Sequence, residues 1–209
     1  MNFLRKPFRY SFGNATFIII GLNILAFIAQ NAIPNATAYL ALNPINVIRG
    51  HAYWQFVTYM FAHGDTSHLF FNMFGLFVFG SSVERHTGTK EFLLYYLVTG
   101  ILAGLLSFGI YVAFGSYRVY LLGASGALFA VMMAYAVFFP TSVIYIWGLL
   151  PVRAPVMVLG YTAIELGSTI FGYQQGVAHL THLAGFLFAY LYFLVRYGAN
   201  PWHSFFSRR

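Results

Sequence analysis

Gly123-Ala124-Ser125-Gly126-Ala127-Leu128-Phe129-Ala130-Val131-Met132-Met133-Ala134-Tyr135-Ala136-Val137-Phe138-Phe139-Pro140 is an apolar run with a hydroxyl at its mouth and a proline at its end. Read as a helix from Ser125 to Phe139, it is about 22 Å long at ~1.5 Å per residue. That falls short of a hydrocarbon core about 30 Å thick. With Pro140 near one face, Ser125 lies below the opposite surface, and the preceding segment 115–122 must dip inward to meet it. Irregular backbone survives at that depth only against protein or water. The sequence therefore predicts a water-filled cavity ending at Ser125.

The composition agrees that this chain lives in lipid. Of its 209 residues, 60% are hydrophobic, 21% aromatic and only 7% charged, with a mean hydropathy of +0.72. A soluble domain carries roughly 25% charged residues, so here lipid must cover much of the surface. The net charge of +7 is accordingly read loop by loop, not as a nucleic-acid footprint, and no nucleic-acid partner is expected. The chain has no cysteine, which excludes disulfides, thiol catalysis and thiolate metal sites. Segment 15–33 is long for a signal-peptide core and lacks a convincing cleavage site, so it reads as a retained helix.

The further apolar stretches are 68–83, 92–114, 124–139, 156–171 and 177–195, giving about six helices with both termini on one side. A polar and aromatic stretch, 34–67, separates the first two, and a short β-branched segment, 141–150, lies between Pro140 and Pro151. The N-terminal tail holds Arg5, Lys6 and Arg9, and later loops on that side hold Arg85, Lys90 and Arg153. The C-terminal end adds Arg196, Arg208 and Arg209, so that nine of the eleven Lys and Arg residues share a side, leaving Arg49 and Arg118 opposite. Cytoplasmic loops carry the excess of basic residues, which makes both termini cytoplasmic and turns the Ser125 end outward. The expected organisation is a basic tail 1–14, a membrane domain 15–196 and a second basic tail 197–209.

Polar groups inside hydrocarbon are expensive and mark function. A serine hydroxyl becomes a good nucleophile when a neutral imidazole takes its proton. His182 is the candidate base, with His179 one turn away on the same helix. Small residues flank both groups: Gly126 beside Ser125, and Gly185 with Ala189 on the helix of His182, a small-xxx-small pattern that lets backbones approach. Gly100 and Gly104 repeat the pattern, read as generic packing. His68 and Asn72, at i and i+4, share a helix face. Acyl transfer needs donors aimed at a tetrahedral oxyanion; an imidazole N–H, an Asn amide and the Ser125 N–H at a helix start supply them.

Taken together, His68-x-x-x-Asn72, Gly123-Ala124-Ser125-Gly126, Ala178-His179-x-x-His182-Leu183-x-Gly185, Ser82-Val83-Glu84-Arg85 and Trp54 resemble the rhomboid family of intramembrane serine proteases in its minimal six-helix form. The resemblance covers nearly the whole chain after about Ala15. It implies an all-α membrane protein, a six-helix bundle with a partly embedded outer loop between helices 1 and 2. It also implies a Ser125–His182 dyad without an acidic third member, and an oxyanion site from the Ser125 N–H with His68 and Asn72. Gly123, Ala124, Gly126, Phe129 and Gly185 would support them. A mobile fifth helix, 156–171, and the loop 172–176 would admit transmembrane protein substrates from the bilayer. Two positions depart from the family's common pattern: Gln55 follows Trp54 where many members have Arg, and Phe129 stands where some have a Tyr stacked on the catalytic His.

Two other readings stand beside the protease. One is a metal or proton transporter built on His63, His68, His179 and His182 with Asp65 or Glu165, two imidazoles at i and i+3 being able to share a metal. The other is a non-catalytic binder of membrane proteins with the same fold. Glu165 lies mid-span in the fifth helix, where a carboxylate must find a partner or be protonated. A structural hydrogen bond is the first expectation for it and a gating role the second. Asp65 is placed to cap the second helix. No metal, nucleotide or flavin motif is present, so no cofactor is expected. The minimal chain without a transit peptide points to a bacterial inner membrane, and nothing in the sequence signals an oligomeric state.

Overall fold

Long apolar segments fold as helices because hydrocarbon cannot satisfy backbone N–H and C=O groups and only intrahelical bonds can. The computed structural model describes residues 5–146, 148–171 and 178–206. Its elements are α1 (Ala15–Ala32), α2 (Ala36–Leu40), α3 (Pro44–Gly50), α4 (Gln55–Thr58), α5 (Thr66–Gly75), α6 (Ser81–Thr87), α7 (Thr89–Ala113), α8 (Ser125–Phe138), β1 (Val143–Ile146), β2 (Leu150–Arg153), α9 (Ala154–Phe171), α10 (Ala178–Tyr192) and α11 (Pro201–Phe206). A π-helical stretch, Leu76–Gly80, joins α5 to α6, and another, Phe193–Tyr197, extends α10.

Four helical segments among the described residues are long and apolar enough to cross a membrane: Ala15–Ala32, Thr89–Ala113, Ala154–Phe171 and His179–Tyr197. The chain is an integral membrane protein. The second expected helix is a jointed one, running from Thr66 through the π stretch to Thr87. The fourth, α8, is the short one at 14 residues, and it is wrapped by the others, with nine consecutive buried residues from Gly126 to Ala134. A central helix needs no lipid-facing stripe, which is why α8 is apolar all round.

One element departs from an all-α expectation. Segment 141–150 was expected as a connection, and β1 and β2 pair there as an antiparallel hairpin, Val143 opposite Arg153 and Ile146 opposite Leu150. Val143, Ile144, Tyr145 and Ile146 are β-branched or aromatic, the residues a pleated surface favours. Pro151 sits opposite Tyr145, a tolerable place because a two-stranded ribbon consists of edges.

The basic end of the bundle is tied by two buried carboxylates. Glu84 accepts from the N–H groups of Ala15 (2.7 Å) and Thr16 (2.9 Å), from the Thr16 hydroxyl (2.8 Å) and from the Thr89 hydroxyl (2.5 Å). It supplies α1 with an N-terminal cap that Asn14 does not give and places negative charge at the positive end of that helix. Glu91 receives a two-pronged bond from Arg196, at 3.0 and 2.7 Å, and a third from the Tyr192 hydroxyl at 2.7 Å. It thereby fastens α7 to the end of α10.

The 34–67 segment is ordered by its own polar residues. Gln55, 1% exposed, accepts from Asn43 N (3.0 Å) and donates to the carbonyls of Ala38 (3.0 Å) and Tyr39 (3.2 Å). Trp54 donates its indole N–H to the Tyr39 carbonyl (3.0 Å) and stacks on the Tyr39 ring. An uncharged amide thus holds the loop where the family's common pattern has Arg.

Two consequences of this packing are testable. Glu84→Ala strips four hydrogen bonds from a buried junction and leaves the α1 donors unmet, so the loss expected is about 2–4 kcal/mol. It is read as a lower unfolding midpoint in detergent, with Glu84→Gln losing less. A Cβ at Gly185 would overlap the Gly126 carbonyl oxygen, so Gly185→Val must push α8 and α10 apart at a cost of about 1–3 kcal/mol. That variant should melt earlier than Gly126→Ala, whose Cβ would meet Thr181 Cγ2 at 3.0 Å and Ala103 Cβ at 3.4 Å without overlapping backbone.

Candidate active site

Ser125 opens α8, and the chain reaches it through a left-handed turn at Gly123 (φ +121°), where L side chains are rarely accommodated. Gly123 donates its N–H to the Tyr59 carbonyl at 2.9 Å. Just upstream, Leu42 and Leu121 exchange backbone hydrogen bonds at 2.8 and 2.9 Å, pinning segment 115–122 to the outer loop. Tyr59 itself donates to the Gly100 carbonyl at 2.6 Å, and its ring fills the space that Gly104 leaves open. The Gly100/Gly104 pair thus receives the outer loop, a role beyond generic packing.

On the other side, α10 presents Gly185 to the Gly126 carbonyl, and Thr181 bonds Ser107 of α7 at 2.7 Å. At that separation His182 Nε2 lies 2.7 Å from Ser125 Oγ. The Phe129 ring stacks on the imidazole with centroids 4.2 Å apart and planes 10° from parallel. Phe129 therefore keeps an aromatic face on His182 without a hydroxyl. Ser125 is half-buried and the His182 side chain is 14% exposed, so the pair sits at the edge of the packed interior.

His68 faces the same place from α5. A Cβ on Gly123 would lie 2.8 Å from both Cε1 and Nε2 of His68, so the ring rests against the backbone leading into Ser125. Asp65 starts α5 by accepting from His68 N at 2.8 Å, as its capping position predicts. The Ser67 hydroxyl and the His68 N–H hold its carboxyl below the usual carboxylate range. The Gly64 N–H approaches His68 Nδ1 at 3.5 Å; this long contact favours the tautomer with its proton on Nε2, facing the site. Asn72, one turn on, donates one amide hydrogen to the His68 carbonyl at 2.8 Å and has a second to offer. His63 packs edge-on against His68 with centroids 5.0 Å apart. Burial lowers its pKa to about 4, so it is neutral at pH 7.

The resemblance implies a pair without an acid, but the structure brings one in. Glu165 of α9 reaches His182 Nδ1 with Oε1 at 2.9 Å and His179 Nδ1 with Oε2 at 2.5 Å. The partner expected of this carboxylate is thus the ring that also touches Ser125. A sequence signal existed: an intramembrane carboxylate needs donors, and His179 and His182 are imidazoles one helical turn apart. Glu165, His179 and His182 also have donor types that suit zinc, with ligand atoms within 4.8 Å of one another. Here the carboxylate's contacts are taken up by the two imidazole nitrogens. The expected loop 172–176 lies outside the described residues.

A serine hydroxyl, an imidazole aligned on it and an imidazole donor beside its backbone can perform nucleophilic acyl transfer. Comparison with known proteins points the same way. The chain is 34% identical over 149 residues to Rhomboid-like protein 11, chloroplastic, of Arabidopsis thaliana, covering 65% of this chain and 50% of that protein. It is 27% identical over 183 residues to Rhomboid protease GlpG of Haemophilus influenzae, covering 87% of this chain and 90% of that one. Rhomboid protease GluP of Bacillus subtilis is 33% identical over 125 residues, 57% of this chain and 23% of its own length. The chain thus spans about half the length of the chloroplast relative and nearly all of the Haemophilus one. A family model described as the rhomboid domain matches residues 50–198, well over half of the chain and every residue from His68 to Gly185 that builds this site, and the chain belongs to the rhomboid family.

Proposed function

We propose that this protein is an intramembrane serine endopeptidase that hydrolyses peptide bonds in or near transmembrane segments of other membrane proteins. The observation that carries the reading is the 2.7 Å contact between Ser125 Oγ and His182 Nε2, beneath a stacked Phe129 ring. Ser125 Oγ forms a bond to the scissile carbonyl carbon while its proton passes to His182 Nε2. The oxyanion is met by the Ser125 N–H at the start of α8, by His68 Nε2–H and by the free amide hydrogen of Asn72. His182 returns the proton to the leaving amine. It then deprotonates a water that attacks the acyl carbon, and Ser125 leaves with its hydrogen restored. Relatives named as rhomboid proteases support the reading.

In this reading the membrane domain is 15–196, flanked by basic tails 1–14 and 197–209, with six crossings. The four apolar helices are joined by the jointed Thr66–Thr87 segment and by α8. The bias of basic residues supports cytoplasmic termini and an outward-facing serine, and the proposed membrane is a bacterial inner membrane. Substrates enter from the bilayer, and the resemblance favours a small residue before the scissile bond and a helix that unwinds readily. A metal-transport reading has the Glu165, His179 and His182 cluster in its favour, but it gives no task to Ser125 or to its alignment with His182.

A fluorophosphonate probe applied to the full chain in detergent reports nucleophile activation without a known substrate. Labelling of the wild-type protein is expected, falling about 10³-fold or more in both Ser125→Ala and His182→Ala. Folded wild-type protein that does not label would overturn the protease reading and favour a binder or a transporter.

A further inference from the structure

We propose that Glu165 is the positioning residue of His182, so that the reacting pair works as a three-membered array whose acid is delivered by a neighbouring helix. The inference rests on the protease reading and adds to it. A carboxylate in a membrane interior is costly unless donors surround it. Glu165 is 7% exposed and reaches two imidazole nitrogens, at 2.5 and 2.9 Å, both from α10.

Its chemistry follows from which nitrogen it holds. When Nδ1–H donates to a carboxylate, the neutral ring carries its proton there, and the lone pair belongs to Nε2. In this protein Nε2 is the atom 2.7 Å from Ser125 Oγ. Glu165 thereby selects the tautomer that can accept the serine proton. It keeps its own negative charge throughout and exchanges no proton. When His182 takes the proton and becomes a cation, that charge lies beside it. Phe129 holds one face of the ring, Ser125 one edge and Glu165 the other.

The placement of Glu165 on α9 argues against a mere clamp. The buried side chains of α9 are Ala154, Pro155, Met157 and Val158 at one end, and then Glu165. From Thr162 to Phe171, every other described side chain is half-buried or exposed. The C-terminal half of α9 is thus committed to the bundle through this carboxylate. His179 alone would suffice to pin α9 to α10. The second bond engages the ring that touches Ser125, so the position of α9 and the orientation of the base are coupled.

The test uses the full chain in detergent and the concentration dependence of fluorophosphonate labelling, which separates the probe's apparent affinity from the maximal rate of reaction with Ser125. Glu165→Ala should lower the maximal rate about 10- to 100-fold with the apparent affinity unchanged, the size expected for a misoriented base. Glu165→Gln, which keeps an acceptor of the same shape but loses the charge, should fall between Glu165→Ala and the wild type. It also keeps the fold testable, because its melting point should stay near that of the wild type. His179→Ala, which removes the second anchor, should lose less than Glu165→Ala. With ¹⁵N-labelled histidine, two low-field Nδ1 proton signals are expected in the wild type, one lost in His182→Ala, the other lost in His179→Ala, and both absent from Glu165→Ala. A folded Glu165→Ala protein with the wild-type maximal rate, or a signal that survives in it, overturns the proposal. A wild-type protein that does not label overturns instead the protease reading beneath it.

Discussion

The contact on which the rest of this molecule depends is the meeting of α8 and α10 at Gly126 and Gly185. Backbone touches backbone there, with no room for a Cβ on Gly185. In a bilayer there is little hydrophobic gain from bringing two apolar helices together, so association relies on close van der Waals approach and on polar contacts between helices. This crossing has both. The two glycines remove the side chains that would hold the axes apart, and Thr181 then reaches Ser107 on α7. His182 is one turn from Gly185 and Ser125 is adjacent to Gly126, so the spacing that satisfies packing also sets the hydroxyl-to-imidazole distance. Chemistry and stability share one constraint, and a change that relaxes one relaxes the other.

Around that crossing the chain is fixed from opposite ends by different means. At the basic end, Glu84 and Glu91 bind the starts of α1 and α7 to each other and to the end of α10. At the Ser125 end the work is done by neutral groups: Gln55, Asn43, Tyr59 and the Leu42–Leu121 backbone pair. Neutral amides and carbonyls suit a buried segment of a membrane protein, because they can be satisfied without leaving a charge to solvate. The Gln55 position shows that such a loop can be held without a cation. The amide's acceptor and its donor bonds meet three backbone groups, two on α2 and one at the start of α3.

Much of this was legible in the sequence, for identifiable reasons. Long apolar runs, a shortened run beginning at a serine, and small residues beside Ser125 and His182 each follow from the cost of polar groups in hydrocarbon. That cost is large enough to leave a pattern. The hairpin was not legible as a hairpin, because four β-branched or aromatic residues between prolines pair only when a partner strand folds back onto them. The cap that Glu84 gives α1 joins residues 69 positions apart, beyond any local signal. Glu165 was visible as a buried charge seeking a partner. Which imidazole nitrogen it reaches depends on the rotation of α9 about its axis, and periodicity does not carry that.

The arrangement also explains how the proposed hydrolytic site can tolerate a carboxylate at membrane depth. A lone buried anion would be neutralised by taking up a proton or would destabilise the fold. Here two imidazoles one turn apart on α10 converge on it, so the charge is held by neutral donors that can share it. Only one of the two also faces the serine. The division gives the site an internal asymmetry: His179 anchors the acid, and His182 uses it. A helix that meets the bundle mainly through its first turns and this one carboxylate can be displaced at its far end without unpacking α8 from α10. The hydroxyl and its base would then stay together while the acid withdraws. The base would thus be oriented most firmly when α9 is seated, and the residue that seats it is the residue that orients the base.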